Sequence, residues 1–456
     1  MVSVSIPEKI DLDKLMEKFP ITDPKLLKCK DLKEKIAWVL SDLPFISYRL
    51  LPWDWKGDTS SRVLQKYVRE YASILKHLKN AEIIVSTGYM PGSYCRSYYI
   101  KKKFGMRMKP YPITNFPLVK KIRAFEVEVQ KAQHEKHLDE WDDSYLIRWF
   151  NKNLEIEQAA ALMYLGGQYT DTLSAKKRIG KRRETLEDNW DRIVSIRSIE
   201  RLMKHIYIFS RDERGRFYSN IVNMDRELRP YLRYRGTSLA YLDVKNCLPF
   251  LFSRVLQPDF WRQDEASYDG LLTYGMLYRK PENLIPRPEL PYSLQEMSDR
   301  VATAASGPDI LEYIDLVTSG MIYDDLQVNA GYRSRDAAKN AFMVMLNTED
   351  TGRYASSHFL PKLVFSKRFP NVYEVQHLLK IVNYKHLSYL LMRIESYCMI
   401  DVICRRISHE KPRLAFYTIH DGVLTPRGNE TFVLKVIKEE MNKLIGYTPR
   451  ITETLW

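Results

Sequence analysis

Two aspartates, each at the end of a run of apolar residues, constrain this chain more than any other feature. Asp243 follows the run 238–242, and Asp421 lies in a His-Asp-Gly turn between the runs 415–419 and 422–425. Short apolar runs bounded by turn-forming residues are typical of buried strands. We therefore expect a sheet in which the two carboxylates lie at neighbouring strand ends, although they are far apart in the sequence.

A pair of carboxylates at adjacent strand ends suits phosphoryl transfer. Such a pair can hold two divalent metal ions, which stabilise the attacking and the leaving oxygen. Arg335 and Lys339 lie between the two aspartates in the sequence, and on a helix they would share one face and offer two cations to a triphosphate. Each feature alone also fits a structural role, as a strand end, a hairpin turn or a solvated helix face. Their joint occurrence favours a nucleotidyl-transfer site.

Four segments, taken in order, carry a resemblance to a known family. They are Gly215-Arg216, the Asp243 strand, Arg335-x-x-x-Lys339 with the later Phe369-Pro370-Asn371-Val372, and His420-Asp421. In these segments the chain resembles family A DNA polymerases and their relatives, the single-subunit phage and mitochondrial RNA polymerases. The resemblance covers residues 205–450, and the N-terminal half shows no comparable match.

The resemblance implies an α+β fold arranged as a polymerase-like right hand. Its antiparallel palm sheet would carry the two aspartates, and helical fingers would carry Arg335 and Lys339. We expect three regions along the chain: a mostly helical, thumb-like accessory region (1–175), a basic linker with a helix (176–204), and the palm and fingers (205–456).

The resemblance also implies a role for each matching residue. Asp243, Asp421 and the backbone carbonyl of Val244 would bind two Mg²⁺ ions, for which Mn²⁺ can substitute. Lys339 is implied as a third catalytic residue, because it can protonate the leaving pyrophosphate. The implied substrate-binding residues are Arg335, Met343, Asn347, His420, Leu248 and Arg216.

Two positions beside the incoming sugar depart from the family's pattern. Leu248 stands where DNA polymerases usually have a Glu that helps to exclude ribose, and Asn347 stands where the family usually has a Tyr. Met343 and Thr425 are more similar to the RNA polymerases, whereas the Phe-Pro-Asn-Val segment is more similar to the DNA polymerases. The resemblance therefore implies a template-directed polymerase, with DNA synthesis preferred. The alternatives are an RNA polymerase or primase-like enzyme, and an inactive scaffold that only binds nucleic acid.

Glu395 precedes the second aspartate, on a segment with the apolar spacing of a helix. Two roles are open to it: a further ligand of the metal site, or an internal ion pair with a basic residue. The ion pair is the preferred interpretation, because a buried carboxylate needs a partner of opposite charge.

Composition agrees with a nucleic-acid partner. The 456 residues include 71 Lys and Arg against 57 Asp and Glu, a formal net charge of +14. Such an excess favours binding to a phosphate backbone, although a soluble protein can be basic for other reasons. The five cysteines form no Cys-x-x-Cys pair, which argues against a zinc or disulfide framework.

Targeting signals are not recognisable in the sequence. No apolar run is long enough to cross a bilayer, and the N-terminus lacks the charged and apolar regions of a signal peptide. We therefore expect a cytoplasmic protein without a membrane partner, which binds template, primer and nucleoside triphosphates. Its size, and a sequence without a recognisable exonuclease triad or helicase P-loop, suggest a replication protein of a phage or mobile element.

The basic run 176–183 generates a testable prediction. Reversing the charge of its six cations should weaken template binding and flatten its salt dependence, because each lost phosphate contact reduces the log–log salt slope by roughly 0.7–0.9. Fluorescence anisotropy across a salt titration measures that slope. An unchanged slope would show that the run is a solvated linker, the usual role of such runs. The six positions are Lys176, Lys177, Arg178, Lys181, Arg182 and Arg183.

Overall fold

The computed structural model describes residues 2–47, 64–65, 67–86, 98–104, 108–167, 186–263, 270–349 and 356–456. The basic run 176–183 lies outside the described residues, so its contact with nucleic acid stays a prediction. The chain divides into two compact units, which are Met1–Ser210 with Ser219–Arg235 and Arg211–Tyr218 with Gly236–Trp456. Within the described ranges, no helix is long and apolar enough to cross a membrane.

Both units combine strands with helices, so the fold belongs to the α+β class. In chain order the strands are β1 (Val2–Pro7), β2 (Ile84–Ser86), β3 (Tyr98–Ile100), β4 (Met108–Ile113), β5 (Leu154–Ile156), β6 (Ser210–Arg211), β7 (Phe217–Tyr218), β8 (Leu232–Tyr234), β9 (Thr237–Val244), β10 (Tyr417–Ile419), β11 (Gly422–Pro426) and β12 (Ile451–Leu455).

The α-helices are α1 (Leu12–Lys18), α2 (Pro24–Leu27), α3 (Leu32–Ser47), α4 (Tyr71–Asn80), α5 (Phe116–Asp139), α6 (Ser144–Ile147), α7 (Leu186–Met203), α8 (Cys247–Val255), α9 (Tyr274–Leu277), α10 (Leu294–Ala305), α11 (Pro308–Ser319), α12 (Ile322–Asn329), α13 (Arg335–Asn347), α14 (Ser356–Arg368), α15 (Pro370–Leu378), α16 (Lys385–Ser396), α17 (Arg405–Glu410) and α18 (Glu430–Ile445). Residues 158–167 are also helical. Short 3₁₀ segments occur at Lys102–Phe104, Arg226–Tyr231 and Pro258–Phe260, and the π-helical segment Tyr397–Cys404 joins α16 to α17.

The first unit is built from antiparallel strand pairs and helices. The pairs are β1 with β4, β2 with β3, and β5 with β8. In β1, Val4 and Ile6 are buried in a core that also includes Ile36 of α3 and Ile74 of α4. Their spacing of two residues is the period of a strand. The N-terminal region therefore combines its helices with short strand pairs. Strand β1 was not predicted, because this alternation is too short to stand out among the helical patterns around it.

Strand β9 lies at the centre of the sheet in the second unit. It pairs antiparallel with β11 on one side and β12 on the other, and β10 pairs with β11. Leu242 and Val244 are fully buried, whereas Tyr241 and Asp243 are only half-buried. Because side chains alternate across a strand, one face of β9 packs on the core while the other presents Asp243. The predicted strand at 238–242 and the predicted hairpin around Asp421 are both confirmed.

The packing at Gly422 generates a stability prediction. A Cβ at this position would lie 2.5 Å from the Tyr241 ring and 2.7 Å from the Leu242 carbonyl oxygen, and the backbone oxygen cannot move aside. We expect Gly422→Ala to lower the free energy of unfolding by roughly 1–3 kcal/mol, the usual effect of overpacking. Urea titration followed by circular dichroism measures the change.

A matched control is Gly167→Ala, because a Cβ at Gly167 would meet no heavy atom within 4 Å. Gly167 is exposed at the end of the helical residues 158–167, where alanine should be neutral or stabilise by up to about 1 kcal/mol. Equal stability of Gly422→Ala and the parent protein would contradict the close packing of β9 against β11.

Candidate active site

The Asp243 carboxyl lies on β9, where Tyr241 fixes its orientation. Residues two apart on a strand share a face, and the Tyr241 hydroxyl donates a hydrogen bond of 2.9 Å to Asp243 Oδ1. The Tyr241 ring is stacked on Trp456, with ring centroids 5.9 Å apart and 18° between the planes. Since a hydrogen bond to the ionised carboxylate favours that form, Tyr241 both positions Asp243 and stabilises its charge.

Asp421 reaches the same place from the β10–β11 hairpin. His420 and Asp421 form its two-residue turn, and His420 has a left-handed φ of 44°, as tight hairpin turns often require. Gly422 lies opposite Asp243 in the ladder between β11 and β9. The Val244 N–H donates to the Asp421 backbone carbonyl over 3.1 Å. The register of the sheet therefore brings the two aspartates together.

Burial and neighbouring negative charge govern the ionisation of Asp421. Burial raises the pKa of Asp421 well above its usual range, and the charges of Asp243 and Glu395 raise it further. A hydrogen bond between the Asp243 and Asp421 side chains acts in the same direction. Like charges with little hydration favour the protonated form of one partner. A cation that binds between the two carboxyl groups would therefore displace this proton.

Glu395 is buried near this pair and forms an ion pair with Arg216. Burial raises the pKa of Glu395, against the lowering effect of Arg216. Burial acts to lower the pKa of Arg216, but the charge of Glu395 raises it overall. The predicted internal ion pair of Glu395 is confirmed, and its partner is a residue that the resemblance assigned to substrate binding.

A tight loop places Arg216 against Glu395. Asp212 Oδ1 accepts hydrogen bonds from the backbone N–H groups of Arg214 and Arg216, at 2.9 and 3.0 Å. Gly215 between them has a φ of 80°, and a Cβ there would lie 2.7 Å from Arg393 Nη1. Both the backbone conformation and the close approach therefore require glycine at this position.

Arg335 connects the start of α13 to the end of β9. Its Nη2 donates to Asn246 Oδ1 over 3.2 Å and its Nε to Asp324 Oδ2 over 3.3 Å, while its guanidinium lies 5.3 Å from the centre of the Tyr323 ring. Asn246 follows Asp243 by three residues and takes a left-handed φ of 54° where α8 begins. The structure thus brings the first turn of α13 close to the strand that carries Asp243.

The other implied site residues are more dispersed. Lys339 is exposed on α13, one turn after Arg335, and Met343 is half-buried a further turn along. Asn347 is exposed at the end of that helix, where its Nδ2 donates to the Met343 carbonyl over 2.9 Å. Leu248 is half-buried on α8.

His420 contacts a neighbouring aromatic ring. Its imidazole packs edge to face with Tyr218, at 5.4 Å between ring centroids and an angle of 74°. Tyr218 ends the strand that follows the 212–216 loop, so this contact ties the hairpin turn of Asp421 to that segment.

Sequence reasoning did not identify several residues that the structure places here. Tyr241 has a detectable signal, its two-residue spacing from Asp243 on a strand. Asn246 is buried, and its Nδ2 has no hydrogen-bond partner in the described part of the chain. Burial and the charges of Arg335 and Arg450 lower the pKa of Lys245. Arg450 has no sequence signal, because only the pairing of β12 with β9 brings it near.

The oxygen ligands here fit Mg²⁺, although they are few. In the described part of the chain, no three His, Cys, Asp or Glu side chains are grouped as a metal site. Mg²⁺ is typically held by one or two carboxylates together with substrate phosphates and water, and burial together with the charge of Asp243 raises the pKa of Asp421. Asp243 and Asp421 therefore suit an ion that arrives with a phosphorylated substrate.

Comparisons with known proteins find little similarity. No model of a known protein family matches this chain, and no curated protein matches it. Among solved structures, the chain is similar to the POL domain of Pol1 from M. smegmatis in complex with DNA primer-template and dNTP, with 11% identity and a TM-score of 0.34 over 74% of this chain and 73% of that chain. A likeness of this size does not by itself show a shared activity.

The raised pKa of Asp421 generates a prediction of pH-dependent stability. Because the folded protein holds a proton that the unfolded chain releases, this carboxyl stabilises the fold at low pH, and the stabilisation is lost as the pH rises through the raised pKa. Asp243→Asn removes one of the charges that raise this pKa. We expect the variant to be more stable than the parent by on the order of 1 kcal/mol at pH 7, and the difference to vanish towards pH 4.

Urea unfolding in metal-free buffer between pH 4 and pH 8 measures this difference. Asp299→Asn is the control, since Asp299 is exposed on α10 and should give a difference that does not depend on pH. A parallel pH dependence for the parent and Asp243→Asn would contradict the interaction between the two aspartates.

Proposed function

We propose that this chain is a template-directed nucleic-acid polymerase that joins nucleotides by two-metal phosphoryl transfer. One arrangement carries the proposal. The ladder between β9 and β11 sets Asp243 opposite Gly422, next to Asp421, and Arg335 is bonded to Asn246, three residues after Asp243. Two carboxylates with a phosphate-binding cation nearby supply what nucleotidyl transfer needs. The net charge of +14 supports a nucleic-acid substrate.

Each residue has a distinct task in this proposal. Asp243, Asp421 and the Val244 carbonyl would hold Mg²⁺, or Mn²⁺ in its place, and the bound ions would acidify a primer 3′-hydroxyl and neutralise the triphosphate. Arg335 would bind the phosphates, where a guanidinium can make paired hydrogen bonds. Lys339 would give its proton to the leaving pyrophosphate. Tyr241 would keep the Asp243 carboxylate oriented through its hydrogen bond.

The finer architecture belongs to the same proposal. The sheet of β9 to β12 would form the palm of a right hand, and the helices around Arg335 would form its fingers. Residues 1–175 would serve as a thumb-like accessory region, and residues 176–204 as a basic linker with a helix. The partners would be template, primer and nucleoside triphosphates in the cytoplasm, in the replication of a phage or mobile element.

RNA synthesis is the second candidate function, because Leu248 stands where DNA polymerases usually have a Glu that helps to exclude ribose, and Asn347 stands where they usually have a Tyr. Leu248 cannot make the hydrogen bonds of a carboxylate, and the Asn347 amide is bonded to the carbonyl of Met343 within its own helix. DNA synthesis remains the preferred proposal, because the Phe-Pro-Asn-Val segment is more similar to the DNA polymerases. Primer extension with dATP and with ATP on one primer-template decides between the two through the ratio of catalytic efficiencies.

Primer extension with Mg²⁺ also tests the proposed site. Asp243→Ala and Asp421→Ala should each reduce nucleotide incorporation by roughly a thousandfold or more, about 4 kcal/mol of transition-state stabilisation. The reason is that either change would remove one of the two carboxylates proposed to hold the ions. Circular dichroism and urea unfolding establish that the variants are folded.

The matched control is Asp299→Ala, which removes an exposed aspartate on α10 and should leave incorporation unchanged. Near-normal extension by either site variant would falsify the assignment of the aspartates. A parent protein that binds primer-template but incorporates neither dNTPs nor rNTPs would instead be a nucleic-acid-binding scaffold.

A further inference from the structure

A pocket of about 210 Å³ opens in the second unit beside the loop that carries Gly215. Its walls come from three separate segments: the loop residue Arg214, residues 278–288, and the start of α16 with Tyr389. Neither Asp243 nor Asp421 lines it. The pocket is therefore distinct from the proposed catalytic site, although both lie in the same unit.

Flat side chains dominate the pocket. The Arg214 guanidinium lies 4.6 Å from the centre of the Tyr389 ring, and its Nε is held by Asp212 at 2.9 Å. Arg287 lies 5.8 Å from the centre of the Tyr278 ring. These pairs offer planar apolar surface and positive charge at the same place, a combination that stacks on π systems.

The composition of the lining narrows the class of ligand. A metal ion would be repelled by the three arginines of the lining, Arg214, Arg287 and Arg393, and an acyl chain would make no use of their charge. An inorganic phosphate would contact the arginines but leave the Tyr389 ring and the apolar wall of Pro286 uncovered. A planar aromatic group that carries a phosphate satisfies both surfaces.

We propose that this pocket binds one nucleobase together with its adjoining phosphate. Unpaired bases are commonly recognised by stacking on aromatic rings and on arginine guanidinium planes. In this pocket the base would lie against Tyr389 and the Arg214 guanidinium, and Arg287, which is exposed, would meet the phosphate. The same chemistry is presented by an unpaired base of a strand and by a free nucleotide.

Binding does not require the aspartates to be catalytic, so this inference and the proposed polymerase activity can fail separately.

The test uses the full chain, without metal, and a tetranucleotide with 2-aminopurine at one position, whose fluorescence is quenched by stacking. Tyr389→Ala should weaken binding by about five- to hundredfold, the usual range for loss of one stacking ring, and Tyr389→Phe should restore it. Arg287→Gln, at an exposed position that the fold does not need, should also weaken binding. Circular dichroism checks that the variants are folded.

The matched control is Arg300→Ala, because Arg300 lies 3.8 Å above the Tyr292 ring in a similar pair that does not line the pocket. The affinity of Arg300→Ala for the tetranucleotide should equal that of the parent protein. If the protein quenches the fluorescence of the tetranucleotide but not that of 2-aminopurine nucleoside monophosphate, the ligand is a base within a strand. If it quenches both equally, the ligand is a free nucleotide. Unchanged affinity in both Tyr389→Ala and Arg287→Gln would overturn the proposal.

Discussion

The structure around the proposed site depends on the repulsion between two carboxylates that the sheet register holds side by side. Asp243 and Asp421 belong to adjacent strands, and their proximity raises the pKa of Asp421 together with burial. Placing a buried acid beside a second acid costs electrostatic free energy that stability alone does not require. The cost is consistent with a site whose positive charge arrives with its substrate.

The surrounding residues hold this unfavourable arrangement in place. Tyr241 donates to one carboxylate, the Val244 N–H fixes the backbone of the other, and Gly422 leaves the space that the Tyr241 ring occupies. Hydrogen bonds from rigid elements restrict how far the two aspartates can separate. Their carboxylates are therefore oriented before any ligand binds, which lowers the cost of assembling a metal site.

Three cations that are distant from one another in the sequence, Lys245, Arg335 and Arg450, lie close to the end of β9 in the structure. Burial and the charges of Arg335 and Arg450 lower the pKa of Lys245 there, and Asn246 links Arg335 to the strand. An acidic pair next to a cationic group suits a substrate that brings both metal ions and phosphates. The separate pocket at Arg214 and Tyr389 would extend recognition from the reacting phosphates to an unpaired base.

The sequence by itself determined the local elements that carry the site. Apolar runs predicted β9 and the β10–β11 hairpin, and the spacing of Arg335 and Lys339 suited the helix on which both lie. Only the tertiary structure decided that Asp243 lies opposite Gly422, that Arg216 pairs with Glu395, and that β12 brings Arg450 beside Lys245. Periodicity reports which face of an element is apolar, whereas register and long-range pairing depend on packing between segments that are distant in the chain.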